Sequence, residues 1–227
     1  KDSIQVTAGQ FKAPFSLEEL QSSKYFDFIE RSMLNNIVAS RSPGVMIHGH
    51  TADEVVQYAF SAQNNRGSLQ LNPVGRPDFF GRLSFKPWQK GALTELNFGG
   101  AFALGKREDE RYFRGRTSSR SVVFSDKFDL NGDLRTYNLE GLWVHRNVKL
   151  QSEYISARAE RIGLGENGSD LSDVKSHGLY VLGTYTLTGE DKKGNGPVTP
   201  KKGIHEGGPG AWEIGFRYQF FDIKDSN

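Results

Sequence analysis

Trp212-Glu213-Ile214-Gly215-Phe216-Arg217-Tyr218-Gln219-Phe220 alternates without a break. Trp212, Ile214, Phe216, Tyr218 and Phe220 fall on one side, and Glu213, Gly215, Arg217 and Gln219 on the other. Successive side chains of an extended strand point to opposite faces, so this period of two describes a strand with an apolar, ring-rich face and a polar one. Leu96, Phe98, Phe102 and Leu104 alternate in the same way with Glu95, Asn97, Gly99 and Ala101. Leu179, Val181, Tyr185 and Leu187 form another apolar row, although Leu182 interrupts its opposite face. Shorter candidates cover 4–10, 45–49, 55–63, 82–85, 121–128, 134–144 and 149–157. The sum is about ten strands, several of the length that crosses a bilayer at a tilt.

Bulk composition alone suggests a water-soluble chain: 36% hydrophobic residues, mean hydropathy −0.56 and net charge +2. Membrane-spanning strands escape that test, because lipid-facing and water-facing residues alternate and the average is polar. The 26 glycines and the 16 Phe, 8 Tyr and 3 Trp suit a barrel wall, where small residues relieve crowding and rings form girdles at the two membrane surfaces. The absence of cysteine excludes disulfides and thiolate chemistry. The sequence opens directly on alternation and closes on Lys224-Asp225-Ser226-Asn227, which reads as a turn. Both ends are therefore expected to be interior to a longer barrel domain, of which residues 1–227 form one incomplete part.

Turn signals stand at Pro43-Gly44, Asn72-Pro73, Asn131-Gly132-Asp133 and His145-Arg146-Asn147. Long polar loops are expected over 163–175 and 191–210. Ser16-Leu17-Glu18-Glu19-Leu20 has an N-cap serine with glutamate three positions on, a capping-box pattern that predicts one or two helical turns between Phe15 and Tyr25. Such a helix can lie on the surface or, in a barrel, fold inward and narrow the pore.

The richest basic stretch holds Lys106, Arg107, Arg111, Arg114, Arg116 and Arg120, with Glu108, Asp109 and Glu110 on its early side. If 114–120 is extended, Arg114, Arg116 and Arg120 share a face and span roughly 20 Å. Arg111 has the wrong parity for that row. The alternative is a solvated loop whose arginines pair with the three acids.

Several segments in order resemble the phosphate-selective porin O/P family. They are Gly9-Gln10-Phe11-Lys12-Ala13-Pro14-Phe15-Ser16-Leu17-Glu18-Glu19-Leu20, Ser22-Ser23-Lys24-Tyr25 running to Phe28-Ile29-Glu30-Arg31-Ser32, and Gly81-Arg82-Leu83-Ser84-Phe85-Lys86-Pro87. Tyr185-Thr186-Leu187-Thr188-Gly189-Glu190 and Pro209-Gly210-Ala211-Trp212-Glu213-Ile214-Gly215-Phe216-Arg217-Tyr218 complete the set. The resemblance implies an all-β, antiparallel transmembrane β-barrel of sixteen strands, in the outer membrane of a diderm (Gram-negative) bacterium. It implies a homotrimer embedded in outer-membrane lipid that passes small inorganic, phosphate-like anions, with no cofactor and no enzymatic activity. It also implies roles for particular side chains. Lys12 matches the place of a constriction lysine, and Arg111, Arg114, Arg116 and Arg120 match the region of an arginine ladder, although with looser spacing.

Arginine suits such a ladder because its planar fork donates two hydrogen bonds to one oxyanion. Passage demands several moderate sites in file rather than one tight one. Lys12 could otherwise snorkel to the membrane surface. Lys201 and Lys202 lie in a long loop and are weaker candidates, while Arg82 is expected to face water. The five histidines are scattered, Ser152 has no nucleophile motif around it, and Gly163-Leu164-Gly165-Glu166-Asn167-Gly168 lacks the lysine of a phosphate loop. The modest charge and missing modules argue against nucleic acid. Two other classes stay open: a structural or adhesive barrel with little selectivity, and a soluble β-sandwich binding module.

Overall fold

The structure is a computed structural model that describes residues 3–64, 75–88, 90–111, 115–125, 128–194 and 196–225, with the side chains of 109–111 and 225 left aside. Its strands are β1 (Gln5–Lys12), β2 (Arg41–His50), β3 (Val56–Gln63), β4 (Asp78–Phe85), β5 (Asn97–Arg111), β6 (Gly115–Arg116), β7 (Val123–Ser125), β8 (Asp129–His145), β9 (Val148–Arg161), β10 (Leu171–Thr186) and β11 (Glu213–Asp225). One short helix, α1 (Leu17–Leu20), follows β1. Nine strands form one antiparallel sheet in the order β1-β2-β3-β4-β5-β8-β9-β10-β11, each beside its neighbour in sequence. β6 and β7 pair separately as a small ribbon. Such a meander, with only the small β6–β7 ribbon against it among the described residues, is one wall of an up-and-down barrel and not a sandwich. β1 and β11 stand at opposite edges of the sheet, with no pairing between them among the described residues.

The alternation read from the sequence becomes two faces. Ile214, Phe216 and Tyr218 are exposed on one side, as are Val181 and Tyr185 of β10, Leu150 and Tyr154 of β9, and Tyr137 and Leu139 of β8. The opposite parity is buried: Leu130, Ile155, Val174 and Tyr180 are wholly enclosed, together with polar Asn138, Gln151, Glu153 and Thr186. A sheet whose apolar side is the uncovered one and whose polar side is the buried one is inverted relative to a soluble protein, as a lipid-facing wall must be. Leu182 belongs to the buried face, where it packs with Tyr180 and Ile155.

Several sequence expectations are corrected. Pro43-Gly44 and Asn131-Gly132-Asp133 lie inside β2 and β8, because ladder pairing on both sides holds those segments extended. β10 begins at Leu171, so the expected 163–175 loop is shorter than its composition suggested. The 121–128 candidate shrinks to Val123–Ser125 and pairs with β6 away from the main sheet. The turn at Arg146 stands, with φ +50°, and Asn72-Pro73 falls outside the described residues.

Residues 13–40 are the segment that matters for function. They leave β1 and fold against the polar face of the sheet, where Ala13, Phe15, Leu34 and Ile37 pack with Phe80, Leu134 and Ile155. The capping helix of the sequence reading therefore lies inward: Ser16, Leu17, Glu18 and Glu19 are all buried. At 25 cal/mol per Å² of apolar area, burying Phe15 and Leu34 contributes about 2 kcal/mol each toward keeping the segment there.

Candidate functional site

The inward segment is fastened by a carboxylate that the sequence did not single out. Glu153 of β9 is 1% exposed. It accepts from the backbone N–H groups of Leu17 at 2.7 Å and Glu18 at 2.9 Å. The Tyr180 hydroxyl at 2.7 Å, the Asn138 amide at 3.0 Å and the Ser16 hydroxyl at 3.3 Å also donate to it. A helix leaves its first N–H groups without partners, and Glu153 satisfies two of them from the sheet on which the helix lies. Ser16 supplies the expected N-cap, accepting from the Glu19 N–H at 3.2 Å. The reciprocal half of the capping box is replaced: the Glu19 side chain turns to Arg31, with Nε to Oε2 at 3.1 Å.

One further tie closes the segment on itself, and another fastens it to the sheet. Glu18 accepts from both the backbone N–H (3.0 Å) and the hydroxyl (2.8 Å) of Ser32, at the start of the 3₁₀ turn Met33–Asn36. Asp27 pairs with Lys149 at 2.7 Å and with Lys192 at 2.5 Å, and Lys192 also contacts Glu213. The inward segment is thus bound to β9 and to the loop before β11, and β11 reaches it through Arg217 on the Glu30 carbonyl and Gln219 on the Met33 N–H.

Two cavities share Arg31. One, of about 400 Å³, is lined by Arg31, Arg116 and Arg120 with Ser32, Asn35 and Thr117. The other, of about 590 Å³, is lined by Lys12, Arg41, Arg31 and Glu19 with Ser22 and Ser23. Arg31 stacks over the Phe26 ring at 4.8 Å, which orients its guanidinium between them. Burial pushes the Glu19 carboxyl above the usual carboxylate range, opposed by Arg31, Lys12, Arg41 and Arg120. Burial also raises Glu18, opposed by its hydrogen bonds from Ser32 and reinforced by the nearby Glu153 charge.

Lys12 and Arg41 are direct partners in the β1–β2 register. Like charges directly opposite repel, and Glu19 is the counter-charge between them. Lys12 shares strand parity with Val6, which is exposed on the outer side. Its side chain nonetheless turns to the inward segment, where Nζ donates to the carbonyl oxygens of Glu19 and of Gln21, the latter at 2.9 Å. Gly9, at φ +130°, interrupts the regular pleat between the two positions, in a conformation that residues with a Cβ rarely adopt.

The structure brings Arg116 and Arg120 to one cavity and Lys12 to the other. It does not make the straight ladder. The chain after Arg116 turns, with Arg120 N–H donating to the Thr117 carbonyl at 2.8 Å and Arg120 at φ +57°, so the two arginines do not share one strand face. The reason lies in Thr117, Ser119 and Ser121, whose hydroxyls bond within the turn and compete with extension. Arg111 ends β5 with its side chain outside the described set, and Arg114 lies outside the described residues. Arg82 faces inward as expected but is paired with Glu140. Arg107 is buried against Asp78 at 2.7 Å and is structural. Sequence reasoning missed Arg31 and Arg41. No sequence signal marked them: Arg31 reaches the site through the inward fold of residues 13–40, and Arg41 through its β-pairing with Lys12.

A single antiparallel meander with an apolar exterior and an inward, basic-lined segment is the geometry of a porin wall. The profile of the family described as phosphate-selective porin O and P matches residues 1–227. The chain belongs to that family. It is a channel-family protein and not an enzyme. Porin O of Pseudomonas aeruginosa is 24% identical over a 253-residue alignment that covers 99% of this chain and 56% of that protein. This porin chain therefore spans about half the length of the curated relative it matches.

Proposed function

We propose that this porin chain forms part of an outer-membrane channel of a Gram-negative bacterium that passes phosphate-like anions by passive diffusion. The sixteen-strand wall would be completed by strands outside residues 1–227, in a homotrimer. The observation that carries the reading is Arg31, which lines both basic cavities and so joins Arg116 and Arg120 to Arg41 and Lys12. An anion would pass from one arginine pair to the next without leaving a positive field, and gathered like charges in a low-dielectric wall raise its local concentration. Glu19 keeps that field from becoming a trap, since a resident carboxylate competes with the passing ion. Membership of a family described as phosphate-selective supports phosphate as the anion class. The test is the reversal potential of the full-length protein in planar bilayers under a potassium phosphate gradient. Anion preference that falls sharply in Arg31→Ala supports the reading. A cation-preferring or indifferent channel, or an Arg31→Ala channel with unchanged preference, overturns it.

A further inference from the structure

The outer, lipid-facing side of the wall carries a charged row that the channel does not use. In the β8–β9 register Arg135 stands opposite Arg158. In the β9–β10 register Arg158 stands opposite Lys175, and in the β10–β11 register Lys175 stands opposite Lys224. Four basic residues thus lie side by side across four adjacent strands, a row about 14 Å wide. Their parity is that of Tyr137, Tyr154, Val181 and Tyr218, so they point away from the lumen, and the side chains of Arg135, Arg158 and Lys224 are 51%, 64% and 70% exposed.

Like charges directly opposite on a sheet repel, and a fourfold row needs an anion nearby. Acids of the same chain meet part of that need: Asp133 lies 2.9 Å from Arg135, Asp173 lies 2.5 Å from Arg158, and Asp222 lies 3.3 Å from Lys224. The basic side of each pair is exposed, so these pairs hold weakly. Lys175 has no ion pair among the described residues. The position of the row decides what else meets it. Tyr154, His177 and Phe220 form a ring cluster on the same face, with centroids 6.5 and 5.9 Å apart. Rings of this kind mark the level where hydrocarbon gives way to head groups. The basic row begins two residues beyond His177 and four beyond Phe220, about 7 to 13 Å farther along the strands. That is the depth of lipid phosphates, at the end of the sheet where β9 stops at Arg161 and β10 begins at Leu171.

We propose that Arg135, Arg158, Lys175 and Lys224 form a binding site on the outer wall for the phosphates of a glycolipid of the outer leaflet. The proposal rests on the reading that this face meets lipid. The two guanidiniums supply forked donors to phosphate oxygens, the two ammoniums supply point charges beside them, and the ring cluster below packs against the acyl chains.

The test uses the full-length protein purified in mild detergent, with lipid A as probe, in its phosphorylated form and after phosphatase treatment. Bound lipid is counted after gel filtration for wild type and for Arg158→Gln/Lys175→Gln. Phosphorylated lipid A is expected to be retained by wild type about tenfold more than by the double variant, with Arg158→Lys restoring much of the loss and single-channel anion selectivity unchanged in every variant. Equal retention by the double variant overturns the site. So does equal retention of the dephosphorylated lipid, which would mean that the apolar face alone binds. Complete displacement by inorganic phosphate at matched concentration would make it a free-anion site, and a change of oligomeric state in the double variant would make the occupant a second copy. Loss of anion selectivity with lipid retention intact would instead overturn the channel reading.

Discussion

Arg31 Nε stands 3.1 Å from a carboxylate oxygen of Glu19, and both side chains line the cavity that also receives Lys12 and Arg41. The proposed track for anions thus contains carboxylates of its own, Glu19 in this cavity and Glu30 in the lining of the other. Three cations around an uncompensated pocket would hold a phosphate too long for rapid exchange, and a tethered carboxylate at the same place lowers that affinity while keeping the cations oriented.

Replacing Glu19 with Gln removes the resident charge and keeps the shape. Phosphate is expected to bind about three- to tenfold more tightly, the effect of ~1 kcal/mol. In single-channel recordings, conductance should saturate at a correspondingly lower phosphate concentration and its maximum should fall. An unchanged saturation curve would mean that the passing ion does not meet Glu19.

The same residue predicts a pH dependence. Burial raises the Glu19 carboxyl above its ordinary range despite Arg31, Lys12, Arg41 and Arg120. A raised carboxyl takes up its proton earlier as pH falls, while the four cations stay charged. Chloride conductance, chosen because chloride has no titration of its own, should therefore rise on going from neutral pH into the range just above ordinary carboxylates. Glu19→Gln should flatten that rise. The linkage to stability has the matching sign: with the folded value above the unfolded one, ionisation of Glu19 opposes folding at neutral pH, and the penalty is relieved as pH drops through the raised value. A rise of equal size in Glu19→Gln would assign it to another group.

Glu153 is the latch of the inward segment, and its five donors make it a demanding site to alter. Glu153→Gln keeps the volume and loses the charge, at about 2–3 kcal/mol for charge-assisted hydrogen bonds. Glu153→Leu strands every donor and should be worse. The expected result is faster tryptic cleavage at exposed Lys24 and noisier open-channel current, with the strands intact by circular dichroism. Cleavage at the wild-type rate in both variants would rule out the latch.

Asp27 joins Lys149, whose side chain is 1% exposed, to Lys192. Asp27→Asn leaves a buried ammonium without its counter-charge, and breaking such a pair costs about 3–5 kcal/mol. Lys192→Met leaves the Asp27–Lys149 pair whole and should lower the heat-unfolding midpoint less. Equal midpoints for the two variants would show that Lys149 finds another partner.

The wall was legible because its chemistry is local. Ile214, Phe216 and Tyr218 report their faces through a period of two, and Ser16 announces its helix through a cap that needs no distant partner. The attachment of that helix was not legible. Glu153 lies 136 positions from Leu17, and nothing beside it in sequence says that its carboxylate will cap a helix folded onto its strand. Arg31 was hidden for a related reason, since its role depends on where the whole 13–40 segment folds. The Arg116–Arg120 stretch misled in the other direction. Its spacing fits a strand, but the hydroxyls of Thr117, Ser119 and Ser121 offer the backbone a turn, and the turn prevailed.

The arginines should separate by their response to salt. Arg120 is exposed and Arg116 half-buried, at the side of the first cavity, so ions in solution screen them over roughly 8 Å at physiological strength. The Arg31 side chain is 27% exposed and stacked on Phe26, where screening reaches it less. Arg116→Ala/Arg120→Ala is expected to lower phosphate flux several-fold at low salt and little at high salt, as befits residues that collect ions. Arg31→Ala should reduce it at both, because it breaks the join between the cavities. Lys12→Glu should also act at both and weaken or reverse the anion preference, since it places a second carboxylate beside Glu19. Flux and reversal potential measured for each variant at low and high potassium chloride decide among these. If all of them lost their effect together at high salt, the arginines and Lys12 would act as a diffuse surface field, and the sequential path through Arg31 would be wrong.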